Sequence, residues 1–301
     1  MTEWKDPEVA ALRSMMAALA PPEGAPARSW AERRAGINAM GQATPPPDGC
    51  VVEAITLGGV PAEKLTPKGA DAARTIYYLH GGGYCVGGSA SHRTLAARMA
   101  DAASAVAYVI DYRMGPEHKF PAAVEDALAA WKALLDAGRD PARTVIAGDS
   151  AGAGLSVATC LAARDAGVAL PAGLHLVSPW VNMTNASKAY AAKGDSDFII
   201  TQQGIDEFRA NYLGDADPTT PLASPVFADL TGLPPMLIQV GSEEVLMSDS
   251  TSLAEAAGLA RVDVTLRIWP EMIHIWPFFG MLSAGGLAIA ESSAWVKART
   301  P

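Results

Sequence analysis

The chain has 301 residues, half of them hydrophobic and 18% charged, with a formal net charge of −9 and a sequence pI near 5.0. That is a globular composition rather than a disordered one, ample for one large domain or one domain with an appended lid. The acidity argues against a nucleic-acid partner, which needs a basic surface, and no apolar run reaches the ~18 residues of a membrane span.

The opening, Met1-Thr-Glu-Trp-Lys-Asp-Pro-Glu8, lacks the positive n-region of a secretory signal, so a cytoplasmic location is expected, with no stable membrane insertion. Two helices follow. Asp6 caps the first, Pro7 takes its first position, and Glu8 lies near the positive end of the dipole. Val9, Leu12, Met15, Met16 and Leu19 then recur at helical spacing until Pro21-Pro22. Ser29 and Glu32 have capping-box spacing for a second helix, which carries Trp30, Ile37 and Met40 and ends near Gly41. Pro45-Pro46-Pro47 is a linker.

Val51–Leu57 and 60–65 flank Gly58-Gly59 as a hairpin. Short apolar runs then alternate with helical patterns. The runs are Thr75–Leu79, 105–111, 144–148, 174–178, Met236–Gly241 and Val264–Trp269. One helix is expected over 121–135, with Gly138 beyond its end, and another around Leu253 to Ala257. Continuous apolar runs imply strands buried on both faces, as in a parallel sheet. Their alternation with helices implies an α/β layered fold. The interval between Trp180 and Met236 breaks this rhythm. It holds a helix capped by Thr201, with Ile205, Phe208 and Tyr212 on one face and Gly214 after it. An insertion of that length is usually functional, often a lid. Cys50, Cys85 and Cys160 are odd in number and widely spaced, so they read as small hydrophobes rather than as a disulfide framework or a zinc site.

The chemistry concentrates in two glycine-rich joins. Gly148-Asp-Ser-Ala-Gly152 lies between an apolar strand and a small-residue helix, which is the context of a G-x-S-x-G nucleophile elbow. His80-Gly81-Gly82-Gly83 follows another strand end and can present backbone N–H groups to a developing oxyanion, because no side chain obstructs approach. A phosphate loop is the weaker reading, since neither G-x-x-x-x-G-K-[ST] nor G-x-G-x-x-G occurs there. Of five histidines, His80 lies in the glycine loop, His92 begins a helix, His118 sits in a turn-rich segment and His175 in a strand. His274 follows the last strand, where the order Ser…acid…His requires the base. The orienting acid should follow Met236–Gly241, where Glu243, Glu244 and Asp249 are candidates.

Together these segments, with Asp111-Tyr-Arg-Met-Gly-Pro-Glu-His118, Phe120-Pro-Ala-Ala123 and Ser178-Pro-Trp180, resemble the bacterial hormone-sensitive-lipase-like (family IV) carboxylesterases, a branch of the α/β-hydrolases. The resemblance runs from about Val51 onward, more loosely through the insertion. It implies a mostly parallel sheet of about eight strands, flanked by helices and roofed by a helical cap. Residues 1–47 and 182–222 would form the cap; 48–181 and 223–301 would form the catalytic domain. Carried over, Ser150 is the nucleophile, His274 the base, and the amides of Gly82, Gly83 and Ala151 the oxyanion hole. The acid departs from the family pattern. The usual Asp two before a leucine is here Glu244, two before Leu246, and Asp249 falls one position late for the second Asp. Glu244 is therefore assigned and Glu243 is the runner-up. Met114-Gly115 replaces the family's usual Leu-Ala.

The implied reaction is hydrolysis of a small hydrophobic, short-chain ester through an acyl-enzyme, with no metal or organic cofactor. An apolar pocket roofed by Met15, Met16, Trp30, Phe198, Phe208 and Tyr212 is expected. Tyr84, Asp149, Phe198, Tyr212 and Trp276 are the expected substrate contacts, although Trp276 either lines the pocket or fills the core, and Asp149 either tunes the site or bonds within the elbow. An amidase, formamidase or lactonase would use the same triad. A non-catalytic small-molecule receptor would instead have lost the histidine. A homodimer is expected by the same analogy, with Val264–Trp269 as the edge strand open to pairing.

Overall fold

Eight strands hydrogen-bond into one sheet in the order β1-β2-β4-β3-β5-β6-β7-β8. They are β1 (Val51–Leu57), β2 (Val60–Thr66), β3 (Thr75–Leu79), β4 (Val106–Ile110), β5 (Thr144–Asp149), β6 (Gly173–Val177), β7 (Met236–Gly241) and β8 (Val264–Trp269). The computed structural model describes residues 5–19, 24, 26–194 and 196–301. The expected Pro21-Pro22 helix stop and the first four residues of the acidic opening lie outside them. β2 runs antiparallel to β1 and β4, and every other pairing is parallel. This is the mostly parallel α/β sheet read from the apolar runs.

The helices are α1 (Pro7–Leu19), α2 (Trp30–Gln42), α3 (Ser89–Ala103), α4 (Ala122–Asp136), α5 (Ala151–Asp165), α6 (Lys188–Lys193), α7 (Gln202–Leu213), α8 (Met247–Leu259) and α9 (Ser283–Arg299). Their starts follow the local chemistry. Asp6 Oδ1 accepts from the amides of Glu8 and Val9, at 2.9 and 3.2 Å. Ser29 and Glu32 close both halves of a capping box on α2, and Thr201 Oγ1 accepts from Gly204 N at the head of α7. Each satisfies amides that a helix leaves without a partner.

The two faces of the sheet bury separate cores, as strand periodicity requires. Tyr77 and Leu79 of β3 join Ile146, Leu176 and Ile238 under α4, α5 and α8. Their neighbours Ile76 and Tyr78 point the other way, joining Val145, Val177 and the residues of α3 and α9. α1 packs on this second core through Val9 and Leu12, both fully buried.

One expectation about the strands is corrected. The apolar run of β8 implies burial on both faces, but its side chains are half-buried or exposed, in keeping with the expectation that Val264–Trp269 is an edge strand. It is one of the two edges of the sheet, paired only with β7, so solvent takes the place of a second neighbour. Among the described residues no helix is long and apolar enough to cross a membrane.

Candidate active site

β5 ends at Asp149 and α5 starts at Ala151, so Ser150 occupies the entire turn between them. Its backbone sits at φ 52°, ψ −122°, a conformation that costs a non-glycine residue roughly 1–3 kcal/mol. The neighbouring glycines permit it sterically. A Cβ on Gly152 would lie 2.0 Å from Leu79 O, and one on Gly148 would lie 2.5 Å from Gly152 O. Hydrogen bonds from Ser150 N to Val177 O and from Trp180 N to Ser150 O hold the turn against the end of β6.

Ser150 Oγ lies 3.0 Å from His274 Nε2, and His274 Nδ1 lies 2.9 Å from Glu244 Oε2. An ionised carboxylate can only accept, so the imidazole proton belongs on Nδ1 and the lone pair on Nε2 faces the serine. All three side chains are largely buried, Ser150 being 7% exposed. Burial alone would lower the affinity of His274 for a proton, but the hydrogen bond and charge of Glu244 outweigh it and raise the imidazole pKa. Burial pulls the Glu244 carboxyl upward, opposed by His274, the Gly241 amide and the Ser178 hydroxyl.

The acid and base loops are tied to each other by backbone and by one hydroxyl. Gly241 N and Ser178 Oγ donate to Glu244 Oε1, at 2.6 and 2.7 Å. Ser178 Oγ also accepts from Ile275 N at 3.0 Å, so it braces the acid and the residue after the base together. Glu243 N donates to Met272 O, an approach possible because Gly241 has no side chain; a Cβ there would meet Met272 O at 2.2 Å. Ser178 was visible in sequence only as part of Ser178-Pro-Trp180, and nothing in that text signals the brace.

The other two acid candidates are engaged elsewhere. Glu243 pairs with Lys193 Nζ at 2.9 Å and accepts from Ser242 Oγ. Asp249 is buried, and its Oδ1 accepts from the amides of Val181 and Asn182. Three of the four remaining histidines are occupied too. His80 stacks on Tyr112, with ring centroids 4.2 Å apart. His92 reaches Asp149 Oδ2 at 3.4 Å, and His175 bonds Gln239 Oε1 at 3.0 Å. Burial pushes the His175 imidazole down to about 4, making it a neutral core group. His118 is exposed.

The glycine loop turns tightly beside the serine. Gly82 and Gly83 have φ of 115° and 60°, and Gly82 O accepts from the amides of Cys85 and Val86. The amides of Gly82, Gly83 and Ala151 donate to no protein acceptor among the described residues. Asp149, next to the serine, faces inward and steadies this loop. Its Oδ1 accepts from Tyr78 Oη at 2.6 Å and from Gly81 N at 3.1 Å. Burial opposes its ionisation, but His92 and Tyr78 hold its pKa below the usual carboxylate value.

An apolar cavity of about 740 Å³ adjoins these loops. Leu12, Met15 and Met16 of α1, Ile37 and Met40 of α2, and Phe208 of α7 line it. Val86 and Ile275 close it on the side of the glycine loop and His274. Of the expected roof, Met15, Met16 and Phe208 are present, whereas Trp30 packs on Phe208 from behind. None of the five expected substrate contacts lines this cavity. Tyr84 and Tyr212 are buried and stacked on each other at 3.8 Å. Trp276 is fully buried against Trp269, and Asp149 is turned into the core. Phe198 packs beside Arg13, whose guanidinium carbon lies 5.8 Å from the ring centroid.

The sequence pattern of the alpha/beta hydrolase fold family matches residues 76–278, which span the glycine loop, the elbow and both catalytic-side loops. The chain belongs to this family. An acetyl-hydrolase of Streptomyces hygroscopicus is 44% identical over 249 residues, covering 82% of this chain and 83% of its own. The crystal structure of an esterase from the bacterial hormone-sensitive lipase family superposes over 100% of both chains with a TM-score of 0.94 at 36% identity. The crystal structure of EstE5, soaked with p-nitrophenyl butyrate, gives a TM-score of 0.93 at 40% identity, covering 98% of this chain and 99% of its own. Within the family the chain is a hormone-sensitive-lipase-like esterase, and the resemblance in the motifs is borne out across the whole fold.

Proposed function

We propose that this esterase is a serine carboxylesterase for short-chain carboxylic esters, working through a Ser150–His274–Glu244 triad and an acyl-enzyme. The observation that carries the reading is the unbroken line from Ser150 Oγ through both nitrogens of His274 to Glu244, at 3.0 and 2.9 Å. Ser150 Oγ attacks the ester carbonyl while His274 Nε2 takes its proton. The carbonyl oxygen becomes an oxyanion held by the amides of Gly82, Gly83 and Ala151; losing one such donor costs about 3 kcal/mol of barrier. Collapse expels the alcohol, protonated by His274, and leaves the acyl group on Ser150. A water activated by His274 then attacks the acyl carbon, and carboxylate and free serine are regenerated. Glu244 keeps the imidazole in the productive tautomer and stabilises its charge.

Short acyl groups are favoured by the p-nitrophenyl butyrate named for the similar EstE5 crystals. On this reading 1–47 and 182–222 act as a cap over a catalytic domain of 48–181 and 223–301. The receptor alternative loses its ground because a histidine stands in line with the serine. The test is direct: the wild type hydrolyses p-nitrophenyl acetate and butyrate, and Ser150→Ala loses at least 10³-fold, in line with removal of a nucleophile. Equal rates for both proteins would overturn the proposal.

A further inference from the structure

Arg34 projects from α2 onto the back of the glycine loop. Its Nε donates to Cys85 O at 2.8 Å and its Nη2 to Gly115 O at 2.8 Å. Glu117 clamps the outer edge of the same guanidinium, at 2.9 Å from Nη1 and 2.6 Å from Nη2. The two carbonyls belong to one hydrogen-bonded unit. Cys85 N donates to Gly82 O, and Gly115 N donates to Tyr84 O. Arg34 therefore fixes the chain three residues after Gly82 against the loop that carries Gly115. The glycine loop is also packed against α7, where a Cβ on Gly83 would strike the Phe208 ring at 2.5 Å. α2 and α7 are themselves joined by the Arg33–Glu207 ion pair at 2.8 Å.

We infer that Arg34 is a positioning residue for the oxyanion loop, holding Gly82 and Gly83 where their amides converge with that of Ala151; this rests on the esterase reading above. The physical basis is the rigid planar fork of a guanidinium. It can tie two carbonyls and a carboxylate at set spacings, whereas a lysine ammonium acts as a single point. Without the fork, the Tyr84–Val86 turn keeps its internal bonds but loses its external anchor. The amides then lose preorganisation, which weakens transition-state binding more than ground-state binding.

The test compares wild type, Arg34→Ala, Arg34→Lys and Ser150→Ala on p-nitrophenyl butyrate, with thermal unfolding measured alongside. Arg34→Ala is expected to lower kcat about tenfold, roughly one decade of barrier, with KM nearly unchanged. Added ethylguanidinium should restore kcat in Arg34→Ala and do nothing for Ser150→Ala. Arg34→Lys, which keeps charge and stem, should stay impaired, and it carries the same comparison if Arg34→Ala does not fold. An unchanged kcat, a defect confined to KM, or a loss that ethylguanidinium leaves in place overturns the role of Arg34. Hydrolysis surviving in Ser150→Ala overturns the triad reading instead.

Discussion

At Ser150 the backbone is held in a conformation a serine avoids, and the cost is accepted because the turn points Oγ at His274 rather than into the helix. Ile275 shows the same economy. It is β-branched yet has φ 48°, and its amide is secured by Ser178 Oγ, which keeps the preceding imidazole facing the serine. The Glu244–His274 pair has a consequence for pH. His274 must be neutral to accept a proton, so activity falls as pH drops through its pKa, which Glu244 raises. Glu244→Gln is expected to move that acid limb to lower pH and to reduce the plateau by about 10³–10⁴-fold. Glu243→Gln should leave the limb in place, because that carboxylate engages Lys193; pH–rate profiles of both variants decide it. Ser150 and the glycine loop were legible because immediate neighbours in the chain announce them, and His274 because it alone of the five histidines follows the last strand. The residues lining the apolar cavity were not. Whether an aromatic faces a cavity or the core depends on partners far away in sequence, as with Tyr84 and Tyr212, which stack across 128 positions.

At the scale of elements, the loops after β6, β7 and β8 act as one assembly, joined by Ser178, Gly241 and the Glu243–Met272 backbone bond. Asp249, in the first turn of α8, ties the loop after β6 to that helix. Burial pushes its carboxyl up to about 7, and the amides of Val181 and Asn182 only partly offset this. The unfolded value is near 4. An acid whose folded pKa is raised binds its proton more tightly when folded. Stability from this group is therefore greatest below about pH 4, falls between about 4 and 7, and is level above. Asn cannot titrate and matches the protonated form in shape, so Asp249→Asn should gain stability over wild type at pH 8 relative to pH 5. Urea midpoints at the two pH values measure it; equal differences would refute the assignment. Strand runs and helix caps were legible because period and cap chemistry are local. The half-exposed character of β8 was hidden in its apolar composition, which matches that of a centre strand, although the family analogy already made it an edge.

Over the whole molecule, β8 leaves one side of the sheet open, with Ile268 40% exposed. A homodimer is proposed through that edge. Sedimentation across micromolar concentrations should show twice the monomer mass, and a monomer throughout would exclude it. A last consequence concerns how the polypeptide matures. Val9 and Leu12 of α1 are buried in the same core as Phe279, Leu282 and Ile289, and Glu8 Oε2 accepts from Ser283 N at the start of α9. The bond between α1 and α9 thus forms only after some 270 further residues have been translated, since domains emerge N-terminus first. A nascent chain halted before α9 would hold the serine and the histidine but lack one tether of the helix that lines the apolar cavity.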